Sequence, residues 1–338
     1  MKSLCFTIGV LFSLTSINNS VIRFRIFLLH LIRFSGINMK KLFSTLIIFF
    51  SINTCFAQNY VDVFKLNYNS TPLNKFDSSA NSTKINEISA DFTFPKRVND
   101  KLVLISGGSY ESIQTRVFEN QPYLRFSSIG LKLGFNRSIN PQWTASLIMF
   151  PKISSDFVEV SRKDFQIGGI TMLKYSKRSN LNYKIALYGN SELFGPILVP
   201  LFGMYYLTEN GKWETNLMLP LQADVNYKIT SGIALGLNFN GQIRSYHLTN
   251  TSPVNYNTYV NRSSNELCAY LKFNLARSLS LQTKIGYSLG RSYRVYKEDD
   301  KVKFALPLLY FNDQRKQLNT DFENGILFQF QVLYRVQI

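Results

Sequence analysis

Between Gly232 and Leu248 apolar residues recur at every second position over most of the run. Ile233, Leu235, Leu237, Phe239 and Ile243 alternate with Ala234, Gly236, Asn238, Asn240, Gln242 and Arg244. Successive side chains of a strand point to opposite faces, so this run makes a ribbon with one face for lipid and one for water. It is longer than the roughly 9 to 11 residues that a tilted strand needs to cross a bilayer, and it therefore projects beyond one. The pattern recurs at Ile129, Leu131, Leu133 and Phe135 against Gly130, Lys132, Gly134 and Asn136, and again from Leu279 to Leu289. Further strands are expected over 62–68, 85–94, 102–110, 143–150, 165–175, 183–190 and 267–276.

A soluble sandwich also alternates, so a second feature has to choose between sandwich and membrane barrel. Met39-Lys40-Lys41, the apolar run Leu42 to Ile52 and Ala57 before Gln58 have the charged, apolar and small-residue parts of a secretory signal. Cleavage is expected after Ala57, with residues 39–57 as signal peptide and 1–38 as an upstream extension outside the native protein. Residues 58–338 then form one domain, since no low-complexity tract or composition shift divides them. For an exported chain without a long apolar helix, a closed barrel is the way for alternating strands to satisfy their backbone in lipid. Aromatic residues near strand ends, such as Phe94, Trp143, Tyr175, Trp213 and Tyr246, fit the interfacial girdles of such barrels.

The fold class expected is thus all-β, an antiparallel transmembrane outer-membrane β-barrel. Short connections near 96–100, 137–141, 176–182, 230–231 and 277–278 interleave with long ones at 69–84, 111–122, 151–164, 249–265 and 291–321. That alternation is what a barrel with turns at one end and outer loops at the other requires. Asn210-Gly211 marks a hairpin between Leu198–Leu207 and Trp213–Ile229. If Leu198–Leu207 stops short of crossing, the count is twelve strands. If Pro220 divides Trp213–Ile229, it is fourteen. Alternation continues through Trp213, Leu217, Leu219, Leu221, Val225 and Tyr227, so one kinked strand and a total of twelve are preferred.

Charge and composition narrow the function. The chain carries 38 basic and 21 acidic residues, and removing the six basic residues of the first 57 leaves a net charge of +11. On an exported chain such a field meets lipid and lipopolysaccharide phosphates, and no nucleic-acid-binding motif accompanies it. Removal of Cys5 and Cys55 leaves Cys268, so no intrachain disulfide is expected. With His247 as the one histidine after residue 57, neither a zinc site nor a Ser-His-acid site is expected. His247 falls on the apolar parity of its strand and reads as an interfacial, structural residue. No cofactor and no catalytic residue are assigned.

The water-facing parity instead collects Lys65, Lys132, Lys174, Lys184, Lys228, Arg244, Lys272, Lys284 and Arg335 against Glu87, Asp91, Glu214 and Asp224. Lys132, Lys174, Lys184, Asp224, Lys228, Arg244, Lys272, Lys284 and Arg335 are the lumen-lining candidates. A water-filled lumen of this kind favours anions, and the alternative is that the charges pair and fill a narrow barrel.

The last strand alternates Phe328, Phe330, Val332, Tyr334, Val336 and Ile338 with Gln329, Gln331, Arg335 and Gln337 and resembles the terminal assembly signal of outer-membrane barrels, except that it ends on Ile338 instead of an aromatic residue. Pro200, Gly203, Tyr205, Trp213, Leu219-Pro220, Tyr227, Gly236 and the Arg291–Tyr296 stretch after Gly286-Tyr287 resemble an uncharacterised family of outer-membrane barrels found mainly in Bacteroidota, a domain of unknown function. The Ala57-Gln58 ending is similar to exported proteins of those bacteria. The resemblance implies residence in the outer membrane of a Gram-negative bacterium, with lipids, lipopolysaccharide and the barrel-assembly machinery as partners and no established substrate. A non-enzymatic barrel that passes or binds small solutes is the leading expectation. A surface-interaction protein acting through its outer loops is the second, and a lipid-modifying enzyme centred on His247 the third.

Overall fold

The computed structural model describes residues 60–337 apart from 78, 250–256 and 308. The expectations for residues 1–38, for the signal at 39–57 and for cleavage after Ala57 lie outside the described residues. The strands are β1 (Tyr60–Lys75), β2 (Ser82–Asn99), β3 (Leu102–Thr115), β4 (Leu124–Ser138), β5 (Trp143–Ser155), β6 (Phe165–Arg178), β7 (Leu181–Glu192) and β8 (Gly195–Leu207). They continue as β9 (Trp213–Leu219), β10 (Gln222–Lys228), β11 (Ile233–Leu248), β12 (Thr258–Asn274), β13 (Leu279–Lys297), β14 (Phe304–Leu306), β15 (Leu309–Phe311) and β16 (Gly325–Gln337).

Neighbours in sequence pair antiparallel around the ring, β8 pairs with β9, and β1 meets β16 from Tyr60↔Gln337 to Ser70↔Phe328. The ring closes with fourteen strands, and β14–β15 is a small hairpin on the long loop between β13 and β16, bridged to β8 at Ala305↔Ile197. Closure leaves the wall no free edge along these pairings, which a lipid environment demands. No helix among the described residues is long and apolar enough to span a membrane.

The wall carries the alternation read from the sequence. Leu237 is 59% exposed on the outside while Ala234, on the opposite parity, is 3% exposed. Ile129, Leu131 and Leu133 of β4 and Ile285, Tyr287 and Leu289 of β13 continue the outer apolar belt around the ring. At the belt's edge Trp143 packs on Tyr175 and Trp213 on Tyr227, with ring centroids 5.0 and 4.9 Å apart.

The preference for twelve strands is corrected to the fourteen-strand alternative. Leu198–Leu207 lies within a full strand, β8, and its hairpin with β9 turns at Gly211, whose φ of +65° suits glycine. Pro220 ends β9 instead of kinking one long strand, because it brings no ladder donor, and Leu221 N–H closes a tight turn onto Met218 C=O at 3.0 Å. Pairing then runs back as Met218↔Gln222, Leu217↔Ala223 and Trp213↔Tyr227. With three residues between Met218 and Gln222, the turn returns odd positions opposite odd positions. The alternation therefore passes through it unbroken and hides the reversal.

The short β9–β10 hairpin shapes the loop-side mouth. β10 leaves β11 at Gln222↔Asn240, and beyond that point β11 continues to Leu248 without a β10 partner. Its end crosses the mouth and touches the far wall through a parallel bridge, His247↔Ser155. β12 and β13 accompany it in register, as Tyr246↔Val260↔Val295. This three-stranded tip is buried on both faces. One face joins Phe76, Ile113, Phe126 and Tyr246, and the other joins Phe194, Val199, Leu201 and Tyr259.

Candidate functional site: the lumen beneath the tip

Below the tip the barrel encloses a cavity of about 790 Å³ whose wall is built from the inward parity of the strands. It runs from Tyr60, Asp62 and Arg335 beside the chain ends to Glu111 and Arg244 under the tip. Among the described residues seven basic side chains line it (Lys65, Lys132, Lys152, Arg244, Lys272, Lys284 and Arg335) and seven acidic ones (Asp62, Glu87, Asp91, Glu111, Glu214, Asp224 and Glu266).

Ion pairs organise these charges in two tiers. In the upper tier Arg262 of β12, itself buried, donates to Glu87 of β2 at 2.7 Å and to Glu111 of β3 at 2.8 Å. Glu111 also accepts from Arg244 and, at 2.6 Å, from the Tyr246 hydroxyl. In the lower tier Asp62 accepts from Lys65 at 2.9 Å and Arg335 at 2.5 Å, and Lys132 reaches Asp91 at 2.5 Å. Buried charges need this kind of pairing because desolvation costs several kcal/mol per unpaired ion.

Of the candidates drawn from the sequence, Lys132, Asp224, Arg244, Lys272, Lys284 and Arg335 line the cavity. Lys174 and Lys184 are register partners on β6 and β7, and Lys184 donates to Asn216 Oδ1 at 3.3 Å. Lys228 is exposed at the last position of β10. Asp224 accepts from the Tyr270 hydroxyl at 2.9 Å, and the Tyr270 ring lies so close over Gly236 that a Cβ there would stand 2.3 Å from its Cζ.

Parity alone missed Asp62, Glu111, Lys152, Arg262 and Glu266. Glu111, Lys152 and Arg262 fell within segments read as loops, since β3, β5 and β12 continue past the point where the lipid-facing apolar rhythm stops. The charges themselves, at even spacing in Arg262 and Glu266, were the available signal.

His247 stands elsewhere than its parity implied. Ser245 and His247 share the outward face of β11, yet the inward lean of the tip buries that face against β5, β6 and β7. His247 Nδ1 lies 2.6 Å from Asp164 Oδ1, and the Ser245 hydroxyl donates to Glu192 at 2.5 Å. Ser154 and Gln166 both donate to Ser245 C=O at 3.0 Å. The serine is engaged by a different acid from the one that holds the histidine, so these residues do not form a nucleophile relay. They tether the tip. Among the described residues no group of three or more His, Cys, Asp or Glu side chains is placed to hold a metal ion.

A family model described as a domain of unknown function (DUF6268) matches residues 54–329. No curated protein matches the chain. Among solved structures, the chain is similar to an outer membrane channel from Pseudomonas putida F1 at 7% identity, covering 81% of this chain and 94% of that one with a TM-score of 0.42. It is similar to the NanC porin at 9% identity, 81% and 100% coverage and a TM-score of 0.33. A third is the P. putida toluene transporter TodX, at 9% identity, 81% and 89% coverage and a TM-score of 0.34.

Proposed function

We propose, for a chain that belongs to the DUF6268 family, that it is a non-enzymatic outer-membrane barrel that binds small polar solutes in its lumen and passes them across the membrane. The observation that carries this reading is the cavity of about 790 Å³, continuous along the inward parity of a wall whose outward parity is an apolar belt. Its volume lies in the range of roughly 300 to 1,000 Å³ typical of small-molecule sites. The signal-like pattern read from the sequence at Met39–Ala57 supports outer-membrane residence, with lipids and lipopolysaccharide around the belt and the assembly machinery acting on the final strand.

For background ions the lumen favours anions. Lys272 and Lys284 in the cavity wall and Lys174 and Lys184, register partners on β6 and β7, support this preference, set against a cavity lining of seven basic and seven acidic side chains. Purified barrel in planar bilayers tests both parts. Discrete conductance with a reversal potential shifted toward the anion, more strongly at low salt because screening weakens, is expected. Absence of conductance in every condition overturns passage, and cation selectivity at low salt overturns the anion preference.

A further inference from the structure

The lumen holds more than charges. Twelve of the cavity's lining residues are Asn or Gln, supplied by seven different strands. In the wall formed by β13, β16 and β1 they stand in register, with Gln331 paired to Gln282 on one side and to Asn67 on the other, and Asn69 paired to Gln329. On β10 and β11, Gln222 is paired to Asn240. A transverse row of amides on neighbouring strands offers alternating donors and acceptors at strand spacing, about 4.8 Å apart.

The hydrogen-bond state of these amides is uneven. Asn67 gives its amide N–H to Ser89 Oγ at 3.1 Å, and Asn190 gives its own to Glu192. The carbonyl oxygens of Asn67, Asn69, Asn190 and Gln242 are buried away from the cavity, so the amides a solute meets include Gln222, Asn240, Gln282, Gln329 and Gln331. An amide side chain carries both N–H donors and a C=O acceptor, so these rows suit a ligand that supplies both.

The chemistry of that ligand follows from what else is present. A simple carboxylate or phosphate anion brings acceptors and leaves the amide C=O groups unmet. A cation brings donors but no acceptors and leaves the amide N–H groups unmet, and of the seven acids on the wall Asp62, Asp91, Glu87 and Glu111 are already taken by lysine and arginine. A hydroxyl both donates and accepts, and a ring of hydroxyls at carbohydrate spacing meets amide rows and leaves the ion pairs intact.

We infer that the amide-lined lumen is a binding site for a neutral, hydroxyl-rich solute, a saccharide of two or three rings. This inference rests on the reading of the lumen as a solute-binding site and names its substrate class. It is independent of whether the barrel conducts.

Isothermal titration of the detergent-solubilised barrel with raffinose, with gluconate and arginine as charged probes of similar polarity, reads binding directly. Raffinose is expected to bind and the two charged probes to bind more weakly or not at all. Asn69→Leu combined with Gln242→Met removes two amides of the cavity lining and touches no ion pair, and should weaken raffinose binding by about tenfold or more. Heat-modifiable migration on gels confirms that the variant is folded. A variant that fails this check is replaced by Gln242→Met alone, expected to weaken binding by about threefold to tenfold. Failure of raffinose to bind the folded wild-type barrel overturns the inference, as does binding that a folded variant leaves unchanged. Tighter binding of gluconate than of raffinose overturns it too. Raffinose binding by a barrel that never conducts leaves the inference standing and removes passage instead.

Discussion

Glu111 accepts from Arg244, Arg262 and the Tyr246 hydroxyl at once, and each of these donors sits on a strand of the tip. A carboxylate buried among three donors is tolerated because its charge is met on several sides, and loss of that charge strands the arginines. Glu111→Gln should therefore destabilise the folded barrel by about 3 kcal/mol or more. Urea unfolding in lipid vesicles measures this, and an unchanged midpoint would show that the tip does not depend on the pair. On the other face of the wall, Leu237 tests the environment of the belt. Leu237→Arg should cost about 2 to 4 kcal/mol where the belt is embedded in hydrocarbon. The same substitution on a water-facing surface stays within about 0.5 kcal/mol, so the vesicle measurement separates the two settings.

Elements were legible in the sequence where a single physical demand governed every second residue. The middle of β4, β11 and β13 obeys the lipid on one side and the lumen on the other, and alternation there located both faces. Above the belt the demand changes. β11 and β12 enter a region where both faces are buried, so Tyr246, His247, Tyr259 and Val260 carry no readable parity and Arg262 fell inside a segment read as loop. The β9–β10 hairpin was hidden for the opposite reason, since the three residues between Met218 and Gln222 preserve parity. The long connection between β13 and β16 is likewise more ordered than its composition implies. Arg315 stacks over Tyr296 and Tyr310 at 4.4 and 4.8 Å and pairs with Asp313 at 2.9 and 2.8 Å, and the guanidinium holds the Asp313 carboxyl below its ordinary pKa. Arg315→Ala removes both the stacking and the pair. Chymotrypsin should then cut near Phe304 to Phe311 several times faster while the barrel stays intact on gels, and equal cleavage of wild type and variant would locate the loop's order elsewhere.

For the molecule as a whole, the decisive relation is between a barrel that encloses a polar cavity and a tip that lies across its loop-side mouth. Neither the tip nor its crossing is visible in any single segment, because it depends on β9 and β10 being too short to hold the end of β11 in the wall. The tip is fastened by polar contacts on both faces, to Glu87 and Glu111 on one and to Asp164 and Glu192 on the other, so it is an ordered unit instead of a loose loop. A path running beneath the tip requires the tip to move. A tether checks this at the bridge between β11 and β5, where Ser155 and His247 are register partners, and partners of this kind stand within the Cα separation of roughly 4.4 to 6.8 Å that a disulfide accepts. With Ser155→Cys and His247→Cys together, oxidised barrels should show a small, steady conductance, and reduction should produce openings several times larger. Cys268, buried on β12, stays out of the exchange. If oxidised and reduced barrels conduct alike, the mouth is open with the tip in place, and the path runs beside the tip instead of beneath it.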